Sequence, residues 1–244
     1  MSWLVESIVA VAFHEPAGDG TPDALQPWLR AFKSNPQNFQ SSIPGQAASA
    51  TAIGSVGELQ AAVTAQLGRL ELGLTSLTRN DDGLSHIGDL ETALQVLRSY
   101  FLLMIEPLRH QRLAVVLNAA QRVGSQAEAL ERLRSEVRLG EDLPSSAIDI
   151  QFRFNIQRSL ETGVTINRLA TWGVGTQQIF VMQVTPGSVA PSATIKEHHA
   201  TVLNIDVNTS PATPTTDADV GSLFEELISD ARALVESGYA YLIR

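Results

Sequence analysis

Residues 3–13 are apolar at nearly every position. Val5, Val9, Val11 and Phe13 share one parity, and Leu4, Ile8, Ala10 and Ala12 share the other. A run that is apolar on both faces predicts a strand covered on both sides. His14-Glu15-Pro16 and Gly18-Asp19-Gly20 stop it, because proline cannot continue a ladder and glycine favours a turn. Leu25, Trp28, Leu29 and Phe32 recur at helical spacing and predict a short helix over 23–34, whereas 35–52 has no period and reads as a polar loop. Leu59, Val63, Leu67, Leu70, Leu74 and Leu77 fit a helical stripe, yet Leu70, Leu72 and Leu74 also alternate like a strand. Gly68 and Gly73 would each cost a helix interior about 1 kcal/mol relative to alanine, so a strand is assigned to 68–78. Asp89 then caps a helix carrying Leu90, Ala93, Leu94, Leu97, Phe101, Met104, Ile105 and Leu108, closed by Pro107. A strand over 112–120 and a charged surface helix over 125–139 follow.

The pattern changes beyond residue 143. Ile148, Ile150, Phe152, Phe154 and Ile156 alternate with Asp149, Gln151, Arg153, Asn155 and Gln157, the signature of a half-buried strand. Further strands are expected over 164–174, 178–185 and 199–207, with Glu161-Thr162-Gly163 and Gly175-Thr176 as turns. Four strands on short connections make an antiparallel meander. Thr216 and Asp219 then open a helix whose stripe of Val220, Leu223, Phe224, Leu227, Ile228, Ala231, Leu234 and Val235 can cover one sheet face, with Gly238 as its end. The expected fold is α+β: the C-terminal four-strand meander and the N-terminal strands form an antiparallel sheet, with amphipathic helices packed on one face. Two halves, 1–140 and 141–244, make up one compact unit. They echo one another loosely, each with sheet strands and a strongly amphipathic helix.

Composition narrows the function classes. With 26 acidic against 17 basic residues the net charge is −9, which argues against nonspecific nucleic-acid binding, since that needs surplus cations. The arginines at 98, 109, 112, 122, 132, 134 and 138 are interleaved with Glu128, Glu131 and Glu136 and read as mixed helix surface. There is no cysteine, so disulfides, thiolate metal sites and cysteine nucleophiles are excluded. No apolar run reaches the ~18 to 20 residues of a membrane-spanning helix. Met1 to Glu6 lacks the basic start of a secretory signal. A cytoplasmic protein without a membrane or nucleic-acid partner is expected.

Candidate chemistry is sparse. His198-His199 beside Glu197 has a metal-binding composition, but neighbours on a strand point to opposite faces and no second histidine pair completes a site. His14-Glu15 reads as a surface turn. Gly54-Ser55-Val56-Gly57 lacks the spacing of a nucleophile elbow, and Gly173-Val174-Gly175-Thr176 lacks the third glycine and the lysine of a phosphate loop. No catalytic set, metal site or cofactor is assigned. Three residues are candidate ligand contacts: Arg168 and Trp172, which share the apolar parity of their strand, and Asp206, on the parity of Asn204. A charge on an apolar face needs a partner, and Asp206 is one choice for Arg168. A structural ion pair is the expectation favoured over ligand binding.

The opening Leu4-Val5-Glu6-Ser7-Ile8-Val9, the mid-chain Arg112-Leu113-Ala114-Val115-Val116-Leu117-Asn118, and Leu203-Asn204-Ile205-Asp206-Val207 before a terminal helix occur in that order. The chain thereby resembles a sporadically distributed family of uncharacterised bacterial proteins. That family has a Pro-Ile-Val-Glu-Ala-Val-like first strand, an Arg-Ile-Gly-Leu-Arg-Tyr-Ile-Asn-like middle strand and a Leu-Leu-Asp-Ile-Asp-like strand before the final helix. Trp3 stands in the region of the family's proline, and Asn204 where an aspartate is expected. The resemblance implies no established activity; the family's patchy distribution implies an accessory or defence-related role, such as an immunity-like protein. The expected function is a non-enzymatic protein-interaction module that takes a protein partner, a second copy of itself, or both. The alternative is an apolar-ligand binding protein with a sheet-and-helix pocket lined by Arg168 and Trp172.

Overall fold

The computed structural model describes residues 3–15, 21–42, 48–77, 86–106, 108–137, 150–183, 192–212 and 219–243, without the side chains of 178–183 and 192–194. Nine strands form one antiparallel sheet, covered on one side by four helices. In chain order they are β1 (Leu4–His14), α1 (Leu25–Phe32), β2 (Asn38–Ser41), β3 (Ser49–Val56), β4 (Leu59–Gln66), β5 (Arg69–Ser76), α2 (Leu90–Ile105), β6 (His110–Val123), α3 (Gln126–Val137), β7 (Gln151–Ser159), β8 (Thr165–Gln183), β9 (Ser192–Thr209) and α4 (Val220–Leu242). The strand order is β2-β3-β4-β5-β1-β6-β9-β8-β7.

The α+β class expected from the pattern is the fold observed, with several elements redrawn. Residues 35–52 are not all loop: β2 and the start of β3 lie there, pairing Asn38↔Ile53 through Ser41↔Ala50. Short alternations of Ser, Thr and Ala give little hydrophobic signal, so the pairing partner supplies what the sequence does not. The strand assigned to 68–78 is β5, and the stripe from Leu59 before it is its hairpin partner β4 and not a helix. β4 and β5 turn at Leu67-Gly68, where Gly68 has φ +72°, and Leu70, Leu72 and Leu74 all face the core. The C-terminal meander has three strands, not four. β8 runs unbroken through Gly175-Thr176, because its whole length pairs with β9 from Ile166↔Thr209 to Gln183↔Ser192. Asp219 caps α4 and accepts the Gly221 N–H; Thr216, like Pro107, lies outside the described residues. The expected boundary at 140–141 also lies outside them.

The order of elements repeats. Strand, helix, meander and helix in β1–α2 are followed by strand, helix, meander and helix in β6–α4, with β2 as an extra edge in the first set. In each set the first strand lies beside the last strand of its own meander, and β1 and β6 pair at the centre from Leu4↔Ala120 to His14↔His110. A rotation of half a turn about the normal to the sheet near Val9↔Val116 relates the sets and keeps all helices on one face. The helices match accordingly: α2 packs on β1 and β5, α4 on β6 and β9, and Phe101 meets Phe224 across the axis with ring centroids 4.9 Å apart. The core lies between the sheet and this layer. It includes Ile8, Leu72, Leu117, Ile205 and Trp172 from strands, and Leu97, Met104, Phe224 and Leu227 from helices.

Candidate functional site

The three sequence-derived site residues do not converge. Arg168 and Trp172 project from β8 toward the helices, whereas Asp206 is in register with Leu169 on β8 and Val116 on β6, on the opposite face. Asp206 accepts a hydrogen bond from Asn208 Nδ2 at 2.9 Å and does not meet Arg168. Trp172 is fully buried against Phe154 and Tyr239. Arg168 is 6% exposed, and its guanidinium lies 5.4 Å from the centroid of the Tyr241 ring. Both side chains pack beneath α4 and its last turn.

The last turn of α4 makes this seal. Gly238 has φ +54° and ψ −138°, a conformation open to glycine, and it breaks the helix so that Tyr239 and Tyr241 fold back toward the sheet. Tyr241 donates its hydroxyl to Asp230 Oδ1 at 2.5 Å, and Arg158 Nη2 donates to Asp230 Oδ2 at 3.0 Å and to Glu226 Oε2 at 2.8 Å. Asp230 is 1% exposed, so these donors replace the water its charge has lost. Burial, and then the adjacent Asp230 carboxylate, push the Tyr241 phenol above its ordinary value. The cluster is fully engaged in holding the chain end.

The face away from the helices differs in chemistry. Gln157 Nε2 donates to Asn167, Asn167 Nδ2 to Asn208, and Arg112 Nη2 to the same Asn208 oxygen, a ladder across four strands. Asn204 donates to Asn118, which donates to Ser7. The Phe13 ring lies between Arg69 and Arg112, whose guanidinium carbons are 5.6 and 5.0 Å from its centroid. Beyond this face projects a two-stranded ribbon. β6 ends its pairing at Val123↔His199 and β7 at Gln151↔Gly173, so from Gln177↔His198 outward to Gln183↔Ser192 β8 and β9 have only each other as strand partners among the described residues. At about 3.3 Å per residue this arm extends roughly 20 Å. Its sequence Ile179-Phe180-Val181-Met182 and Ile195 is apolar, and Ile195 is 57% exposed.

At the root of the arm is a cavity of about 240 Å³, with Ala120, Gly175, Ala200 and Val202 on its floor and Glu6, Arg122, Gln177 and His198 around it. A β-bulge between Val5 and Ser7 brings Glu6 here and turns Val5 to the core. Burial raises the Glu6 carboxyl above its ordinary value, and the charge of Arg122 offsets part of that. The sequence reading missed Glu6, Arg122 and Gln177. His198 and His199 differ in parity yet both border the cavity, as does Thr176, whose Oγ1 is 3.3 Å from His199 Nδ1. Among the described residues no group of three or more histidines and carboxylates is placed to hold a metal ion, and no helix is long and apolar enough to cross a membrane. Neither the protein-family models nor the curated protein sequences give a match to this chain.

Proposed function

We propose that this protein is a non-enzymatic, cytoplasmic protein-interaction module that engages its partner, a second protein or another copy of itself, through the β8–β9 arm. The observation that supports this reading is the run of register pairs from Gln177↔His198 to Gln183↔Ser192, which has no third strand beside it among the described residues. A two-stranded ribbon is marginal in water, and its edges and the exposed Ile195 are stabilised by addition to another surface. The mutual engagement of Arg158, Asp230 and Tyr241 fits a scaffold better than a reaction centre. The patchy distribution of the resembling bacterial family suggests an accessory or defence-related form of this reading, such as an immunity-like protein.

The test is to excise residues 179–196 and join Gln178 to Glu197, which are in register, through an Asn-Gly turn. Thermal unfolding should stay within a few degrees of the full chain, since the buried core side chains among the described residues all come from outside this stretch. Sedimentation velocity over a range of concentrations, and cross-linking from cells expressing the full chain, should show association that the excised form loses. A full chain that stays monomeric and gives the same cross-links with and without the arm overturns the reading.

A further inference from the structure

We propose that β7 is a dimerisation edge, on which a second copy of this chain adds its own β7 antiparallel, about a two-fold axis at Asn155. β7 ends the sheet, and among the described residues only its β8 side is paired. Its exposure marks the other side as open. Ala170 and Trp172 on β8 are 0% exposed, yet their partners Phe154 and Phe152 are only half-buried, as is Ile156. On the other face Gln151, Arg153, Asn155, Gln157 and Ser159 are all exposed. Water therefore reaches the flank of the sheet along the whole strand. Edge strands are ordinarily blunted by shortness, proline, a bulge or lysine. β2, at the opposite end of the sheet, is blunted by shortness, with four residues. β7 has nine residues in unbroken register with β8 and contains neither proline nor lysine.

The strand is complementary to itself in the one antiparallel register that pairs all nine residues, Gln151-Phe152-Arg153-Phe154-Asn155-Ile156-Gln157-Arg158-Ser159. Asn155 meets its own counterpart on the axis. Phe154 lies opposite Ile156, Arg153 opposite Gln157, Phe152 opposite Arg158 and Gln151 opposite Ser159. The two arginines of each strand thus never face a like charge, and Phe154 against Ile156 is the aromatic and β-branched pairing that cross-strand packing favours. Nine paired residues give about nine hydrogen bonds between the copies, close to the number in a typical stable interface. The axis is normal to the sheet, like the one relating the two sets within the chain, so the helices of both copies stay on one face. Phe152, Phe154 and Ile156 of both copies then form one apolar seam beside Tyr239, which already packs on Phe154. The β8–β9 arm leaves the sheet beyond Gln151 and takes no part in the seam, so the dimer is independent of any partner the arm engages.

The chain has no cysteine, so a single introduced thiol reports its own neighbour. Residues directly opposite in an antiparallel pair have Cα atoms about 4.5 to 5.5 Å apart, within the span of a disulfide. Under mild oxidation, Asn155→Cys in the full chain should form a linked dimer at least about tenfold faster than Gln60→Cys, an exposed position on β4. Arg153→Cys and Gln157→Cys should each link slowly alone and rapidly when mixed. Sedimentation velocity of the parent chain should show a dimer. Asn155→Glu should make it monomeric with unchanged far-ultraviolet dichroism, and adding Asn155→Lys to it should restore the dimer by pairing opposite charges. A monomeric parent, equal rates for Asn155→Cys and Gln60→Cys, or fast self-linking of Arg153→Cys overturns the proposal. The Asn155→Cys link should persist when residues 179–196 are excised; its loss there would assign the dimer to the arm and overturn the β7 seam.

Discussion

At the scale of single residues, a buried acid and a half-buried one act in opposite ways on the same fold. Asp230 is 1% exposed but meets Tyr241 and Arg158, so its charge is compensated where it sits. Tyr241→Phe should cost about 2 kcal/mol at neutral pH, the scale of a hydrogen bond to a charged group, read as a lower urea midpoint. The phenol titrates above its ordinary 10.0 in the folded chain, so the stability it lends is complete below that pH and is lost as pH rises through the folded value. The variant should therefore lose less stability than the parent on going to strongly alkaline solution. Glu6 has no comparable partner, and burial lifts its carboxyl above 4.5. Folding then favours the protonated form, and the favourable contribution present below 4.5 fades as pH rises through the folded value. Glu6→Gln should accordingly unfold at higher temperature than the parent at neutral pH, with the gain vanishing in acid; equal melting points across the range would refute that assignment.

At the scale of elements, α4 depends on its interruption. Gly238 combines a positive φ with a ψ of −138°, and without that break Tyr239 would leave Phe154 and Trp172, and Tyr241 would leave Asp230. Gly238→Ala should destabilise the protein by about 2 kcal/mol, the strain of a side chain in a region reserved for glycine. The near-ultraviolet dichroism of the aromatic cluster should diminish with it. Retention of both would mean that the terminal turn contributes little. The β1 bulge is the comparable device in the sheet. One extra residue returns Val5 to the core and leaves Glu6 at the opposite face, so the polar cavity and the apolar core both follow from a single register shift.

At the scale of the whole molecule, the internal repeat places each set's first strand at the seam. β1 lies between β5 and β6, and β6 between β1 and β9, so separating the chain between α2 and β6 would bare a long edge on each piece. The exposed edge of β6 would carry Leu113, Val115 and Leu117 in a strand of 14 residues, a template for aggregation. Residues 1–106 and 107–244 expressed separately should be insoluble or unfolded. Expressed together, they should reassemble into one particle, seen by size-exclusion chromatography. A well-folded isolated half would show that the seam is dispensable.

The alternation of Phe152, Phe154 and Ile156, the 3.6-residue stripes of α2 and α4 and the doubly apolar run of β1 each express a local period, and a local period is carried by the residues themselves. The sequence by itself therefore determined an antiparallel sheet with amphipathic helices on one face. Pairing is not local. Whether 35–52 holds a strand, whether 59–76 is helix or hairpin, and whether Gly175 breaks β8 depended on neighbours distant in the chain. The candidate site follows the same division. Parity put Arg168 and Trp172 together and set Asp206 apart from Leu203 and Ile205, while only the folded register showed the first two sealed beneath Tyr239 and Tyr241. Glu6, Arg122 and His198 come from three separate strands and meet through a bulge and two ladders. Tertiary structure alone decided that meeting, because a contact between distant segments leaves no period in any one of them.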